Sequence, residues 1–278
     1  MLITSYAKIN LFLEVTGKLP DGYHQINTVF CSIDLFDQLR FALTKTPAIE
    51  LLSNLPEMQS MDNLIVKVAH YLRDLYKPRE GVSIYLDKKI PIAAGLGGGS
   101  SNAAMTIIGL NRLWDLNLSI SRCEEIATVF GSDISYFLHG GTAIGKNRGE
   151  LLEAHTDILF DHVLLVKPKF GISAVEAYRA CQIPEVPYEW TFPPGKPLFN
   201  RLTEGVCGLY PVIAEVLDIL RHNGAVSAEM SGSGSTCFGI FRNEPEMDEC
   251  AQILSRKGFW ICKTRTISKE EYQECFQN

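Results

Sequence analysis

Pro91-Ile92-Ala93-Ala94-Gly95-Leu96-Gly97-Gly98-Gly99-Ser100-Ser101 stands between two segments of different periodicity. Before it, Val82, Ile84 and Leu86 alternate as in a strand. After it, Ala103, Ala104, Ile107, Ile108, Leu110, Leu113 and Trp114 make a broad apolar helix pattern. A strand, a glycine-rich turn and a helix start together make an anion site. The glycines let the backbone turn so that several N–H groups face one point, and the helix adds unpaired donors and the positive end of its dipole. Ser100 and Ser101 add hydroxyls that reach phosphate oxygens or a Mg2+ ion. A plain flexible connector explains the glycines but not the paired serines ahead of a strong helix. The stretch is not the common P-loop, because no Gly-Lys-Ser/Thr ends it. It also lacks the downstream acidic partner of a dinucleotide-binding unit.

Working outward, the first segment alternates from Tyr6 to Val15. Ile9, Leu11, Leu13 and Val15 share one face; Tyr6, Lys8, Asn10 and Glu14, with Phe12, share the other. Lys8 and Asn10 therefore point the same way, about 7 Å apart along the strand. Pro20-Asp21-Gly22 marks a turn before a second strand around Ile26 to Ile33. Asp62-Asn63 caps a helix carrying Leu64, Ile65, Val68, Ala69, Leu72 and Leu75. Ser121 with Glu124, and Ser173 with Glu176, have the spacing of capping boxes, and Gly131 should stop the first of those helices. The proline-rich stretch Pro184 to Pro197 reads as an irregular connector. Pro211 opens and Gly224 closes a further helix, with strands near Val226–Met230, Thr236–Phe241 and Phe259–Thr264. Mixed strands and helices in both halves make an α+β protein with a division near residue 155: a first domain over 1–154 and a second over 155–278.

The 278 residues suffice for two modest domains. Hydrophobic content of 46% and charged content of 21% are those of a globular protein, and a net charge of −6 argues against nucleic-acid binding. The eight cysteines form no CxxC pair and no metal-ligand spacing with histidine, so reduced, mostly buried thiols are expected. No apolar run approaches a membrane span, and the expectation is a cytoplasmic protein with no membrane partner.

The glycine loop resembles the second motif of the GHMP kinase superfamily, whose core reads Pro-x-x-x-Gly-Leu-Gly followed by small residues. Gly95 to Ala104 is similar to the longer form found in the branch acting on 4-diphosphocytidyl-2-C-methyl-D-erythritol in the non-mevalonate isoprenoid pathway. Ala7 to Leu13, followed by Asp21-Gly22-Tyr23-His24, resembles the first motif, and Met230 to Thr236 the third. With Asp62-Asn63-Leu64-Ile65 and Gly131-Ser132-Asp133, the matches span almost the whole chain. Singly, each has a plainer reading: a solvated strand lysine, helix caps at Asn63 and Asp133, turn residues at Tyr23 and His24. Their joint occurrence in order favours function.

The resemblance implies the two-domain GHMP architecture: an N-terminal domain like ribosomal protein S5 domain 2, a ferredoxin-like C-terminal domain, and an active site between them. It implies ATP-dependent transfer of a phosphoryl group to the 2-hydroxyl of the cytidylyl polyol, with Mg2+ between the ATP phosphates. Asp133 would take the hydroxyl proton, and Lys8 would steady Asp133 and the transferred group. Pro91 to Ser101 would hold ATP, with Ser101 a Mg2+ ligand and Asn63 and Lys88 near adenine; further metal ligands are not assigned. His24 would bond the cytosine edge and Tyr23 stack on its ring, with Asn10 and Phe30 as neighbours and Phe170 a candidate for the second side of a sandwich. Asp21-Gly22-Tyr23-His24 argues against homoserine or mevalonate as acceptor, and the presence of both Lys8 and Asp133 argues against a non-catalytic homologue. No protein partner is implied.

Overall fold

The computed structural model describes residues 1–186 and 198–274. The proline-rich connector from Pro187 on, and Cys275, lie outside the described residues. The alternating first segment forms β1 (Leu2–Lys18), which pairs antiparallel with β2 (His24–Thr44) through the Pro20-Asp21-Gly22 turn. Then come β3 (Ile49–Ser53), α1 (Leu64–Tyr76), β4 (Gly81–Asp87), α2 (Gly98–Leu113), α3 (Ile120–Phe130), α4 (Ile134–Phe137), β5 (Thr142–Asn147) and β6 (Leu151–Ala154). The second half holds β7 (Val163–Lys167), α5 (Ala174–Ala180), β8 (Phe199–Asn200), α6 (Leu202–Leu209), α7 (Pro211–His222), β9 (Ser227–Met230), β10 (Cys237–Ile240), α8 (Glu244–Arg256), β11 (Trp260–Thr264) and α9 (Lys269–Glu274).

Among the described residues the first sheet runs β3-β4-β2-β1-β8, with β5 on β2 and β6 on β5. Helices α1 and α2 cover one face of it, and their apolar stripes meet Leu39, Phe41, Val82, Ile84 and Leu86 in one core. The second sheet runs β11-β7-β10-β9. Taken with the intervening helices, that order is the ferredoxin-like βαββαβ pattern. Its core gathers Leu164, Val166, Ile213, Val216, Leu217, Leu220 and Leu254.

The expected division at residues 154 and 155 falls between β6 and β7, but the chain crosses back twice. Strand β8 adds to the first sheet, parallel to β1. The C-terminal segment also returns: Ile267 and Tyr272 join the first core, and the Tyr272 hydroxyl donates to the Phe137 carbonyl at 2.7 Å.

Local readings met two corrections. Helix α3 is capped by Ser119, whose hydroxyl accepts from the Arg122 N–H, and not by Ser121, which lies inside the helix. Strand β1 has no free face: residues from Ala7 to Val15 are all buried, because β1 lies under the second half of the chain as well as against α2. A register shift between Asn10 and Phe12 also breaks strict alternation, and Phe12 joins Ile9 and Leu11 in a third core.

Candidate active site

A cavity of about 820 Å³ opens between the two halves. Its walls come from β1 (Lys8, Asn10, Leu13), the β1–β2 turn (Asp21 to His24), the glycine loop (Gly95, Gly97, Ser100), Asp133, Arg148, helix α5 (Tyr178, Arg179) and the turn at Gly232-Ser233. Although the chain is acidic, the charged groups lining this cavity are Lys8, Lys18, Arg148 and Arg179 against Asp21 and Asp133. The local balance is positive, as anionic ligands require.

The glycine loop takes its shape from two left-handed glycines, Gly95 (φ 72°) and Gly97 (φ 70°). Gly97 is also the N-cap of α2 and has no side chain with which to cap the first-turn N–H groups of that helix. A Cβ on Gly97 would lie 2.5 Å from the Phe137 ring and 3.1 Å from Lys8, so the backbone itself must come close there. Ala94 and Leu96 face inward and anchor the loop in the core.

Lys8 is drawn to this loop. Its backbone N–H donates to the Leu96 carbonyl at 3.0 Å. Its ammonium donates to the Gly95 carbonyl at 3.0 Å and to Asn10 Oδ1 at 2.6 Å, and lies 3.7 Å from Asp133 Oδ2. Burial pushes this ammonium below the usual lysine range, an effect that the Asp133 carboxylate opposes. Asp133 occupies the N-cap position of α4, yet its side chain makes no capping hydrogen bond. Its carboxylate is thus left to Lys8 and the cavity, and the plain capping reading of Asp133 fails on that geometry.

This arrangement of a bare helix start, a buried ammonium and a carboxylate can neutralise phosphates and accept a proton from a hydroxyl. Comparison with known proteins agrees. The family models described as GHMP kinases N terminal domain and GHMP kinases C terminal match residues 63–141 and 195–259. The 4-diphosphocytidyl-2-C-methyl-D-erythritol kinase of Thermoanaerobacter pseudethanolicus is 37% identical over 281 residues, covering 96% of each chain. The chain belongs to the 4-diphosphocytidyl-2-C-methyl-D-erythritol kinase branch of the GHMP kinase family. The Bacillus cereus (strain ATCC 14579) kinase of the same name is 36% identical over 93% of both chains. A crystal structure of 4-(cytidine 5'-diphospho)-2C-methyl-D-erythritol kinase superposes with a TM-score of 0.82 at 28% identity, covering 96% of this chain and 99% of that one. The Methanococcus jannaschii mevalonate kinase, at 17% identity and a TM-score of 0.72 over 96% and 98% of the two chains, shares the GHMP kinase fold.

Placed in this GHMP kinase, the residues expected from sequence divide into three groups. Lys8, Asn10, Tyr23, His24, Phe30, Asp133, Gly95, Gly97 and Ser100 line one cavity. Others from the loop lie outside the cavity lining: Ala93 packs against Gly171, and Ile92 is exposed. A third group is engaged elsewhere. Ser101 is buried, its hydroxyl 2.7 Å from that of Ser5, so Ser100 and not Ser101 is the loop hydroxyl facing the cavity. Lys88 is buried in an ion pair with Asp37, whose carboxylate also accepts from the N–H groups of Lys89 and Ile90 and from Asn102. This network underlies the start of α2 and does not open on the cavity. Asn63 caps α1 by accepting from the Ile65 N–H at 2.9 Å and donates to the Met58 carbonyl at 2.8 Å. Phe170 stacks on Tyr210 (centroids 5.0 Å apart) against the second core, outside the cavity lining.

Among the described residues, the aromatic that does enter from the second half is Tyr178, which sequence reading missed. It stacks on His24 with centroids 5.0 Å apart and planes inclined by 22°. The Ser173 cap, which accepts from the Glu176 N–H, starts the helix that carries it and was the available signal. Partial burial and the neighbouring Lys18 hold the His24 imidazole below its usual range, which favours its neutral form. Arg148, also missed, lies over the Tyr23 ring at 4.3 Å and pairs with Asp21, tying the β1–β2 turn to the end of β5.

Proposed function

We propose that this protein transfers the γ-phosphoryl group of ATP to the 2-hydroxyl of 4-diphosphocytidyl-2-C-methyl-D-erythritol, giving the 2-phosphate and ADP. The observation that carries the chemistry is the Lys8–Asp133 pair at 3.7 Å, beside a helix start that has no side-chain cap. Family membership supplies the acceptor, and the cavity suits it: one lining holds the His24 imidazole, the Tyr23 and Tyr178 rings, the cations Lys18, Arg148 and Arg179, and the Lys8–Asp133 pair.

In this reading the backbone N–H groups at Gly98 to Ser100 hold the ATP phosphates. Asp133 accepts the proton of the 2-hydroxyl as its oxygen bonds to the γ-phosphorus and the bond to the β-phosphate oxygen breaks. Lys8 stands against the Asp133 carboxylate and neutralises charge on the moving phosphoryl group. Asn10 holds the Lys8 ammonium by its Oδ1 while its Nδ2 donates to Thr28 at 2.7 Å, fixing the direction of both. His24 reads the cytosine edge, and Tyr23 and Tyr178 offer ring faces to the base.

Mg2+ suits the site. Such ions bind through one or two carboxylates together with substrate phosphates, and the Asp133 carboxylate and Ser100 hydroxyl are oxygen donors beside the loop. When bound it would neutralise phosphate charge.

Phosphorus NMR of the turnover product tests the assignment. The expected product keeps its diphosphate resonances and gains one phosphomonoester on the 2-oxygen; a phosphoryl group at any other oxygen would contradict it.

A further inference from the structure

The turn from Met230 to Gly234 forms part of the cavity wall, and the contacts that hold it come from the joint between the two halves. Gly232, in the left-handed region at φ 55°, approaches Lys8 closely: a Cβ there would lie 3.1 Å from both Lys8 Nζ and Asn10 Oδ1. The Ser231 hydroxyl donates to the Gly95 carbonyl at 3.0 Å, the same oxygen that receives the Lys8 ammonium. The backbone N–H of Asn10 in turn donates to Ser231 Oγ at 3.3 Å. Lys8 is therefore boxed in by the glycine loop on one side and this turn on the other.

Asn200 holds the turn. Its side chain is almost wholly buried, and Nδ2 donates to the carbonyls of Met230 and Gly232, each at 2.8 Å. Its Oδ1 accepts from the Leu202 N–H at 3.0 Å, so all three bonds fix one orientation of the amide. Asn200 itself is fixed by β8, which pairs with β1 at Leu13↔Asn200, and by the Arg201 N–H donating to the Leu13 carbonyl at 2.8 Å. Next to it, fully buried Glu14 of β1 takes two 2.8 Å bonds from the Arg201 guanidinium. The joint thus reaches Lys8 by two routes: along β1 and through the Asn200 amide.

We infer that Asn200 is a positioning residue for Lys8, transmitting the docking of the second half onto β1 to the turn that encloses the Lys8 ammonium. The inference rests on the proposed role of Lys8 in phosphoryl transfer. Asn200 neither contacts Lys8 nor lines the cavity itself; it acts through the carbonyls of Met230 and Gly232.

Asn200→Asp isolates this role, because the carboxylate still accepts from Leu202 but cannot donate to the turn. With ATP and 4-diphosphocytidyl-2-C-methyl-D-erythritol, we expect kcat to fall about tenfold or more while both KM values stay within about threefold. Asn200→Gln, which keeps the amide but displaces it, should show the same split to a smaller degree. In a Lys8→Met background, Asn200→Asp should bring no further loss, because groups acting as one unit do not multiply. Unchanged kcat in Asn200→Asp, losses that multiply in the double variant, or losses that track the unfolded fraction seen by circular dichroism would each overturn the inference. Failure of both Asn200 variants to fold would also overturn it, making Asn200 a folding residue. Normal turnover by Lys8→Met alone would instead remove the role of Lys8 on which it rests.

Discussion

Lys8 Nζ lies 3.7 Å from Asp133 Oδ2, with the lysine side chain 4% exposed and the aspartate 35%. The two groups thus differ in setting. The lysine is enclosed by the glycine loop, Asn10 and the Gly232 turn, whereas the aspartate faces the cavity. A buried cation and an accessible carboxylate suit charge neutralisation and proton acceptance respectively.

Asp133→Asn should retain binding of both substrates and lose about 100-fold or more in kcat, the usual contribution of a positioned base. Isothermal titration with each substrate, alongside steady-state kinetics, checks both halves. Turnover close to that of the unaltered protein would remove Asp133 from the mechanism.

The depressed Lys8 ammonium gives a pH signature. The proposed mechanism uses protonated Lys8, so kcat/KM should decline as pH rises through its lowered pKa, below the ~10.4 of an unperturbed lysine. Lys8→Arg should lose that decline, since a guanidinium stays charged over the whole range. A pH profile of Lys8→Arg that keeps the same alkaline limb would assign the limb to another group.

For the base-reading end, His24→Ala and Tyr178→Ala should each raise KM for the cytidylyl substrate about tenfold, while KM for ATP changes by less than about twofold. Equal effects on both substrates would place these rings outside the base site. Phe170→Leu, in contrast, should leave the substrate KM unchanged, because that ring is spent on Tyr210.

The joint between the halves predicts a stability effect. Arg201→Met removes both guanidinium bonds from the fully buried Glu14 carboxylate, and should cost about 3 kcal/mol in urea unfolding. Adding Glu14→Met should recover most of that loss, because the buried carboxylate that lost the guanidinium is then gone. Additive losses would show that the pair contributes little as a pair.

Much of this was legible in the sequence because local rules and function coincide there. The glycine loop needs left-handed backbone at Gly95 and Gly97 and a helix start without a cap, and both requirements are written in residue types. The polar side chains of Lys8 and Asn10 stand two residues apart on a strand, so their meeting follows from strand geometry. What could not be read depends on tertiary contact. Ser100 and Ser101 are equivalent in sequence, and only the packing of α2 against Ser5 turns the second one inward. Lys88 follows a strand ahead of the loop just as a nucleotide ligand would, and only the proximity of Asp37 from β2 claims it. Tyr178 and Phe170 are both aromatic and close in the chain. The cap at Ser173 starts a helix that carries Tyr178 to His24, whereas Phe170 precedes it and stacks on Tyr210. The return of β8 to the first sheet is a two-residue pairing with no periodicity of its own.

The most direct test of the central claim is ADP formation by the purified protein with ATP and Mg2+, comparing three acceptors at equal concentration. We predict turnover with 4-diphosphocytidyl-2-C-methyl-D-erythritol that exceeds that with mevalonate or homoserine by about 100-fold or more, as expected where acceptor binding uses groups the smaller alcohols lack. Faster turnover of mevalonate or homoserine, or no acceptor-dependent ADP with the cytidylyl substrate, would contradict the account.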